Sequence, residues 1–170
     1  ATGLNGKAAQ AAGLSYEKIV LSPLSHAGYY PGGKLMTMKV LYEKGSQRLL
    51  GAQIVGHEGV DKRIDVLATA MQAGLPVTAL KDLDLAYAPP YASAKDPVNL
   101  VGFMAENLEQ GVVKQFHWED VAGLPRDGSV TLLDARTPGE YSGGCAEGFV
   151  NVPLDELRDR LGEIAPGKPV

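Results

Sequence analysis

The sequence is poor in cysteine, in aromatic residues and in long hydrophobic runs, and these shortages exclude several classes of protein. Cys145 is the single cysteine among 170 residues, which rules out an internal disulfide and a cysteine-rich zinc site. No apolar run approaches the roughly 18 to 20 residues needed to cross a bilayer, and the first residues lack the features of a secretory signal. A net charge of −4 offers no basic surface to nucleic acid. We therefore expect a cytoplasmic protein that binds neither nucleic acid nor membrane.

Motifs for nucleotides and metals are also missing. No G-x-G-x-x-G or Walker-type phosphate loop occurs, and the three histidines lack the spacing of a metal site. We therefore expect no metal site and no dinucleotide-binding fingerprint in this chain. The remaining composition, with 45% hydrophobic and 21% charged residues, is typical of a globular protein.

Hydrophobic periodicity predicts an α+β fold for residues 1–112, in which helices pack on an antiparallel sheet. Thr2 is predicted to cap a short first helix that reaches Ala12. The strands are predicted at 17–24, 35–41 and 49–55, and two longer helices at 60–75 and 98–109.

The character of the sequence changes after this unit. Residues 113–125 are predicted to form a linker, and residues 126–170 a second, α/β segment. Its pattern is a strand at 130–133, a short helix through Ser142, a strand at 148–152 and a final helix from Pro153.

Two short segments combine tyrosines with turn-forming residues. Tyr87-Ala88-Pro89-Pro90-Tyr91 is predicted to be an extended, polyproline-like rod, and a helix start at Asp96 follows it. The other segment is Tyr29-Tyr30-Pro31-Gly32-Gly33. Two interpretations are open for both segments. The tyrosines could donate hydrogen bonds or a proton at a site, with Lys95 as a nearby cation, or they could pack in a loop or a subunit contact.

Three blocks of sequence resemble one known family. They are Leu50-Gly51-Ala52-Gln53-Ile54-Val55-Gly56, then Gly59-Val60-Asp61-Lys62-Arg63-Ile64-Asp65-Val66-Leu67-Ala68, then Ala86-Tyr87-Ala88-Pro89-Pro90-Tyr91 with Lys95-Asp96-Pro97-Val98-Asn99. In residues and in spacing they are similar to the C-terminal dimerisation domain of flavin-dependent pyridine nucleotide-disulfide oxidoreductases. The branch indicated is that of coenzyme A-disulfide reductases, NADH oxidases and coenzyme A persulfide or polysulfide reductases.

This resemblance implies a homodimer in which the chain completes the active site of an enzyme that uses FAD, NAD(P)H and coenzyme A. The FAD and NAD domains would lie upstream in the same protein, so the chain alone is expected to be inactive and to bind no cofactor. Tyr30 and Tyr87, with Tyr29 and Tyr91 as possible support, would reach the partner subunit's active site. There they would protonate a departing thiolate or donate a hydrogen bond to it.

The resemblance also bears on three cations. Lys62, Arg63 and Lys95 are candidates for binding the phosphates of coenzyme A. The alternative is that they form surface or interface salt bridges.

The later segment Leu132-Leu133-Asp134-Ala135-Arg136-Thr137-Pro138-Gly139-Glu140-Tyr141, followed by Gly148-Phe149-Val150-Asn151-Val152-Pro153-Leu154, resembles the opening half of a rhodanese domain. One branch of coenzyme A-disulfide reductases carries such a domain as a tail. Cys145 stands where rhodaneses usually have histidine, and their catalytic cysteine loop would follow Pro169. The resemblance therefore implies that Cys145 is not the persulfide carrier. Two other functions are alternatives: a freestanding dimeric adaptor that uses the aromatic loops, and a sulfurtransferase module.

Overall fold

A computed structural model describes residues 1–170, which divide into two compact units, residues 1–114 and 115–170. The first unit has the predicted α+β architecture, with an antiparallel sheet and helices packed against it. Its elements are β1 (Thr2–Gly3), α1 (Gly6–Ala11), β2 (Tyr16–Leu21), β3 (Met36–Glu43), β4 (Leu49–Gly56), α2 (Val60–Gln72), a 3₁₀ helix (Val77–Asp82) and α3 (Pro97–Glu109). None of the helices of the chain is long and apolar enough to cross a membrane.

The sheet has four strands in the order β1-β4-β3-β2, and every neighbouring pair is antiparallel. Strands β3 and β4 are joined by a short turn in which Gly45 has a φ of 84° and Gln47 a φ of 60°. Such left-handed conformations suit a tight reversal between two strands. Strand β2 is joined to β3 by a longer loop, residues 22–35, and this loop carries one of the two tyrosine segments.

The core lies between one face of the sheet and the helices α2 and α3. Val40 and Tyr42 from the sheet, Leu67 from α2 and Val101 from α3 are all fully or almost fully buried in it. Helix α3 lies close to the 3₁₀ helix because Gly102 has no side chain: a Cβ there would lie 2.2 Å from the backbone nitrogen of Lys81.

Helix α3 begins where the sequence predicts. Asp96 is its N-cap, Pro97 is its first residue, and the Asp96 side chain accepts a hydrogen bond from the Val98 amide at 3.1 Å. The Asn99 side chain accepts in return from the Asp96 amide at 3.0 Å, which completes a reciprocal cap.

The predicted cap of the first helix is wrong. Thr2 lies in β1, where it pairs with Ala52, and the cap of α1 is Asn5, whose side chain accepts from the Ala8 amide at 2.9 Å. The short β1 segment can approach β4 because Gly51 has no Cβ to meet the backbone of Leu4. A two-residue strand has no periodicity of its own, so the hydrophobic pattern does not reveal it.

The second unit contains a parallel pair of short strands, β5 (Leu133–Asp134) and β6 (Val150–Asn151), connected through helix α4 (Pro138–Ser142). Two further 3₁₀ helices occupy Trp118–Gly123 and Leu161–Glu163. The predicted final helix from Pro153 is absent, and turns take its place. That helix is predicted from an apolar stripe of Leu154, Leu157 and Leu161. Leu154 and Leu161 are 69% and 57% exposed, so the stripe buries little apolar surface, and burial is what stabilises most short helices.

Candidate functional site

Two loops of the first unit bring the tyrosines together. The first tyrosine loop is residues 22–35, between β2 and β3, and the second tyrosine loop is residues 83–96, between the 3₁₀ helix and α3. The amide of Ala27 in the first loop donates to the carbonyl of Ala92 in the second at 3.0 Å. Sequence analysis identified both segments as candidates, but no local pattern could predict that they are neighbours.

The second tyrosine loop is not an extended rod. The amides of Tyr91 and Ala92 both donate to the carbonyl of Ala88, at 2.9 and 3.0 Å, and close a turn around Pro89 and Pro90. The prediction of a rod is therefore wrong. Proline holds φ near −65°, a value that suits a turn as well as polyproline II, and the donors that close this turn come from residues after the two prolines.

The hydroxyl groups of Tyr29 and Tyr87 lie 2.6 Å apart, one from each loop. Both side chains reach the surface, with exposed fractions of 75% and 46%. The hydrogen bond with Tyr29 raises the pKa of Tyr87 above the ordinary value of a tyrosine, and partial burial adds to the shift. Tyr87 is therefore protonated at neutral pH, and the pair can present a phenolic hydrogen at the surface.

Tyr30 and Tyr91 take other positions. The Tyr30 ring packs edge-to-face on His26, with centroids 5.8 Å apart and planes at 75°. Tyr91 is 75% exposed, while its carbonyl accepts a hydrogen bond from Arg63 at 3.3 Å. The Tyr87 hydroxyl thus contacts Tyr29, which the resemblance named as possible support. Tyr30, which it named with Tyr87 as a donor to the partner's active site, packs on His26 instead.

A buried polar group supports the first tyrosine loop, and sequence analysis assigned no role to it. The two ring nitrogens of His26 lie 3.1 Å from the Ser25 hydroxyl and 3.3 Å from the Pro31 carbonyl. His26 is only 5% exposed. A small cavity of about 130 Å³ beside it is lined by Ser25, Glu58, Arg63 and Tyr91, among other residues.

The three cations have different environments. Arg63 is 1% exposed and pairs with Asp96 at 2.9 Å. This ion pair is internal, not the surface or interface salt bridge of the alternative, and its burial argues against contact with a phosphate. Lys62 donates to the Ala86 carbonyl at 3.2 Å, lies 3.8 Å from Asp96 and keeps a side-chain exposure of 35%. The Lys95 ammonium lies 4.7 Å from the centre of the Phe103 ring, a cation–π contact.

Comparison with known proteins identifies the family. Residues 1–97 match the family described as "Pyridine nucleotide-disulphide oxidoreductase, dimerisation domain". The chain belongs to this family. Coenzyme A disulfide reductase of Staphylococcus haemolyticus (strain JCSC1435) is 44% identical over 93 residues, which are 55% of this chain and 21% of that protein. The chain thus spans about a fifth of the length of such curated relatives.

Solved structures agree over a longer stretch. The crystal structure of reduced Bacillus anthracis CoADR-RHD superimposes with a TM-score of 0.91 and 46% identity, over 98% of this chain and 30% of that one. An NAD-dependent persulfide reductase from A. fulgidus gives a TM-score of 0.84 and 39% identity, over 96% of this chain and 29% of that one. Both matches extend beyond the dimerisation domain and include most of residues 115–170.

The second unit of this family member holds the single cysteine. Cys145 is exposed, and it follows helix α4. A hydrogen bond with Cys145 raises the pKa of Tyr141 above its ordinary value, and partial burial adds to the shift. The Tyr141 hydroxyl also donates to the Phe149 carbonyl at 2.9 Å. Arg136 pairs with Asp134 at 2.6 Å and donates to the carbonyl of Gly144, next to the cysteine.

Proposed function

We propose that this chain is the dimerisation and active-site-completing part of an oxidoreductase that reduces coenzyme A disulfide, persulfide or polysulfide. The enzyme would be a cytoplasmic homodimer, and each chain would present its tyrosine loops to the active site of the partner subunit. The names of the relatives support this substrate class, since they are a coenzyme A disulfide reductase and a persulfide reductase.

The observation that carries the proposal is the contact between the hydroxyls of Tyr29 and Tyr87 at 2.6 Å. Two phenols from separate loops meet at the surface, and the pKa of Tyr87 is raised. A phenol that stays protonated at neutral pH serves as a hydrogen-bond donor and not as a base. Each subunit therefore offers a partner a directed O–H group.

In the proposed reaction this group acts on the sulfur that leaves when a disulfide is cleaved. The departing coenzyme A thiolate carries a negative charge, and a donor held in place stabilises that charge as it develops. Either hydroxyl can be the donor of the pair in the free chain. In the reacting complex Tyr29 would donate to the Tyr87 oxygen, which leaves the single Tyr87 hydrogen free to donate to the sulfur. Tyr30 and Tyr91 flank the pair and would shape its surroundings.

FAD and NAD(P)H would supply the electrons. Because this chain carries no dinucleotide motif, we assign their binding to the upstream domains of the same protein. Lys62 and Lys95 remain candidates for the coenzyme A phosphates, since both side chains reach the surface. Arg63 is not retained in that role because its donors already face oxygen atoms of this chain.

The test uses the full-length enzyme with Tyr87→Phe and Tyr29→Phe. Disulfide or persulfide turnover should fall by about 100-fold for Tyr87→Phe, the usual effect of removing one transition-state donor. The effect of Tyr29→Phe should be smaller, and flavin reduction by NAD(P)H should not change in either variant. Tyr16→Phe, in strand β2, is the matched control. Normal turnover in both loop variants would refute the roles assigned here.

For residues 126–170 we propose the opening part of a rhodanese-like domain. The parallel pairing of β5 with β6 through α4 supports this, because a parallel strand pair with a helical crossover is the unit from which such α/β sheets are built. Cys145 would not carry sulfur in the transfer reaction. Full-length enzyme with Cys145→Ser should therefore keep any thiosulfate-to-cyanide sulfurtransferase activity, and a loss of that activity would contradict the assignment.

A further inference from the structure

Arg63 is a charged side chain in the interior of the first unit, and its guanidinium reaches both tyrosine loops. One terminal nitrogen donates to the Ser25 carbonyl in the first loop at 2.9 Å. The same nitrogen donates to the Tyr91 carbonyl in the second loop at 3.3 Å. Ser25 precedes Tyr29 by four residues, and Tyr91 follows Tyr87 by four, so the guanidinium joins the two loops at points four residues from the paired tyrosines.

The ion pair that holds this guanidinium is also buried. The Asp96 carboxylate accepts hydrogen bonds from the Arg63 Nε at 3.2 Å and, at 2.9 Å, from the same terminal nitrogen that reaches both loops. The side chains of Asp96 and Arg63 are 3% and 1% exposed. Asp96 is the N-cap of α3 as well. Hydrogen bonds between charged groups are shorter and about twice as strong as neutral ones, and the planar guanidinium matches a carboxylate with two parallel bonds.

Rigid elements fix the rest of this network. Arg63 belongs to α2, and its other terminal nitrogen donates to the Gly59 carbonyl at 3.2 Å. Gly59 leaves the space that the guanidinium fills, since a Cβ there would lie 2.1 Å from that nitrogen. Asn99 in α3 donates to the carbonyls of Leu80 and Leu83, each at 3.0 Å. The loops are thus attached to two helices and not only to one another.

We propose that Arg63 is a positioning residue that fixes the two tyrosine loops relative to one another, so that the hydroxyl groups of Tyr29 and Tyr87 meet in the orientation that the reaction needs. This inference rests on the function proposed above. Besides Arg63, the contacts between the loops that are described above are the exposed hydroxyl pair and the hydrogen bond from the Ala27 amide to the Ala92 carbonyl. Each neutral hydrogen bond of this kind adds only a small net free energy. A buried, charge-assisted fork that reaches both backbones holds them far more firmly.

The first test measures loop order directly. In the full-length enzyme, Arg63→Lys keeps the charge but replaces five donors in a fixed plane by a single ammonium. Amide hydrogen exchange should accelerate at least about tenfold in both residues 22–35 and 83–96. Tyr42→Phe is the matched control, because it removes a partly buried side-chain hydrogen bond between residues outside both loops, that of Tyr42 with Glu109. Unchanged exchange in either loop would overturn the proposal.

The second test asks whether Arg63 acts through Tyr87. Arg63→Lys should lower kcat for disulfide or persulfide reduction by about 10- to 100-fold, the effect of small misplacements in an active site, and leave flavin reduction unchanged. In a Tyr87→Phe background the same change should cost less than about twofold, because coupled residues are not additive. An equal loss in both backgrounds would mean that Arg63 does not act through Tyr87.

The outcomes separate this inference from the function it rests on. If Tyr87→Phe and Tyr29→Phe both leave turnover unchanged, the proposed function fails, and hydrogen exchange still decides whether Arg63 holds the loops. If Arg63→Lys does not fold, Asp96→Asn replaces it, since asparagine keeps the helix cap and nearly the same shape while removing the ion pair. Accelerated exchange confined to both loops is expected there too, and its absence overturns the proposal.

Discussion

Substituting Asp96 in this chain measures how much the buried ion pair contributes to the free energy of unfolding. Removing one member of a buried pair usually costs about 3–5 kcal/mol, because the remaining charge is left without compensation. Asp96 and Arg63 are joined by contacts of 2.9 to 3.3 Å and are almost fully buried, so this range applies. Asparagine can still accept from the Val98 amide and cap α3. We therefore expect the low end, about 3 kcal/mol, for Asp96→Asn.

Comparison with alanine separates the cap from the ion pair. Asp96→Ala also loses the hydrogen bond with the Val98 amide, which should cost about 1 kcal/mol more. The double variant Arg63→Met with Asp96→Asn removes both charges. It should be less destabilised than the sum of the single variants by about 2–3 kcal/mol, since neither charge is then left alone in the interior.

Urea unfolding followed by near-ultraviolet circular dichroism of the tyrosines is the assay. Six of the seven tyrosines lie within residues 1–114, so the signal reports the first unit. With a slope of about 2 kcal/mol per molar, a loss of about 3 kcal/mol lowers the midpoint by about 1.5 M. Protein concentration must be kept constant because association shifts stability. A cost below about 1 kcal/mol for Asp96→Asn, or strict additivity in the double variant, would refute this reasoning.

Three further predictions concern other parts of the first unit. Gly102→Ala places a Cβ 2.2 Å from the backbone nitrogen of Lys81, so it should lower the urea midpoint by the equivalent of about 1–3 kcal/mol. Burial is the main cause that raises the pKa of Tyr42, and the hydrogen bond with Glu109 adds to it. The unfolded chain therefore loses this proton at a lower pH than the folded chain, so the free energy of unfolding should fall above pH ~10 by up to about 1.4 kcal/mol per pH unit. Tyr42→Phe should reduce that slope in urea midpoints measured against pH, and the remainder would come from other groups with raised pKa values, such as Tyr87. Tyr29→Phe should bring the pKa of Tyr87 back toward its ordinary value in an ultraviolet phenolate titration.

Local signals predicted most regular elements of the first unit. The aspartate before a proline indicated the start of α3 because both residues act on the first turn alone. The strand at Leu49–Gly56 and the helix at Val60–Gln72 also agree with the predicted ranges within a few residues. In each case the structure is determined by residues close together in the sequence.

Predictions failed where a distant part of the chain decides the structure. Strand β1 exists because Thr2 meets Ala52, fifty residues away, and nothing near Thr2 indicates this pairing. The contact between Tyr29 and Tyr87 depends in the same way on two loops that only the folded sheet and helices bring together. Sequence analysis could identify both tyrosines as candidates, but it could not choose Tyr29 over Tyr30.

Helical spacing distinguishes the two adjacent cations of α2. One step along a helix rotates a side chain by about 100°, so Lys62 and Arg63 cannot share a face. Arg63 lies four residues before Leu67 and seven before Ala70, which places it on the buried stripe, and all three are buried. A charge on an apolar stripe requires an internal partner of opposite sign. The spacing is thus a signal, not used in the sequence analysis, that predicts a buried and paired Arg63. The identity of its partner Asp96, 33 residues further on, requires the structure.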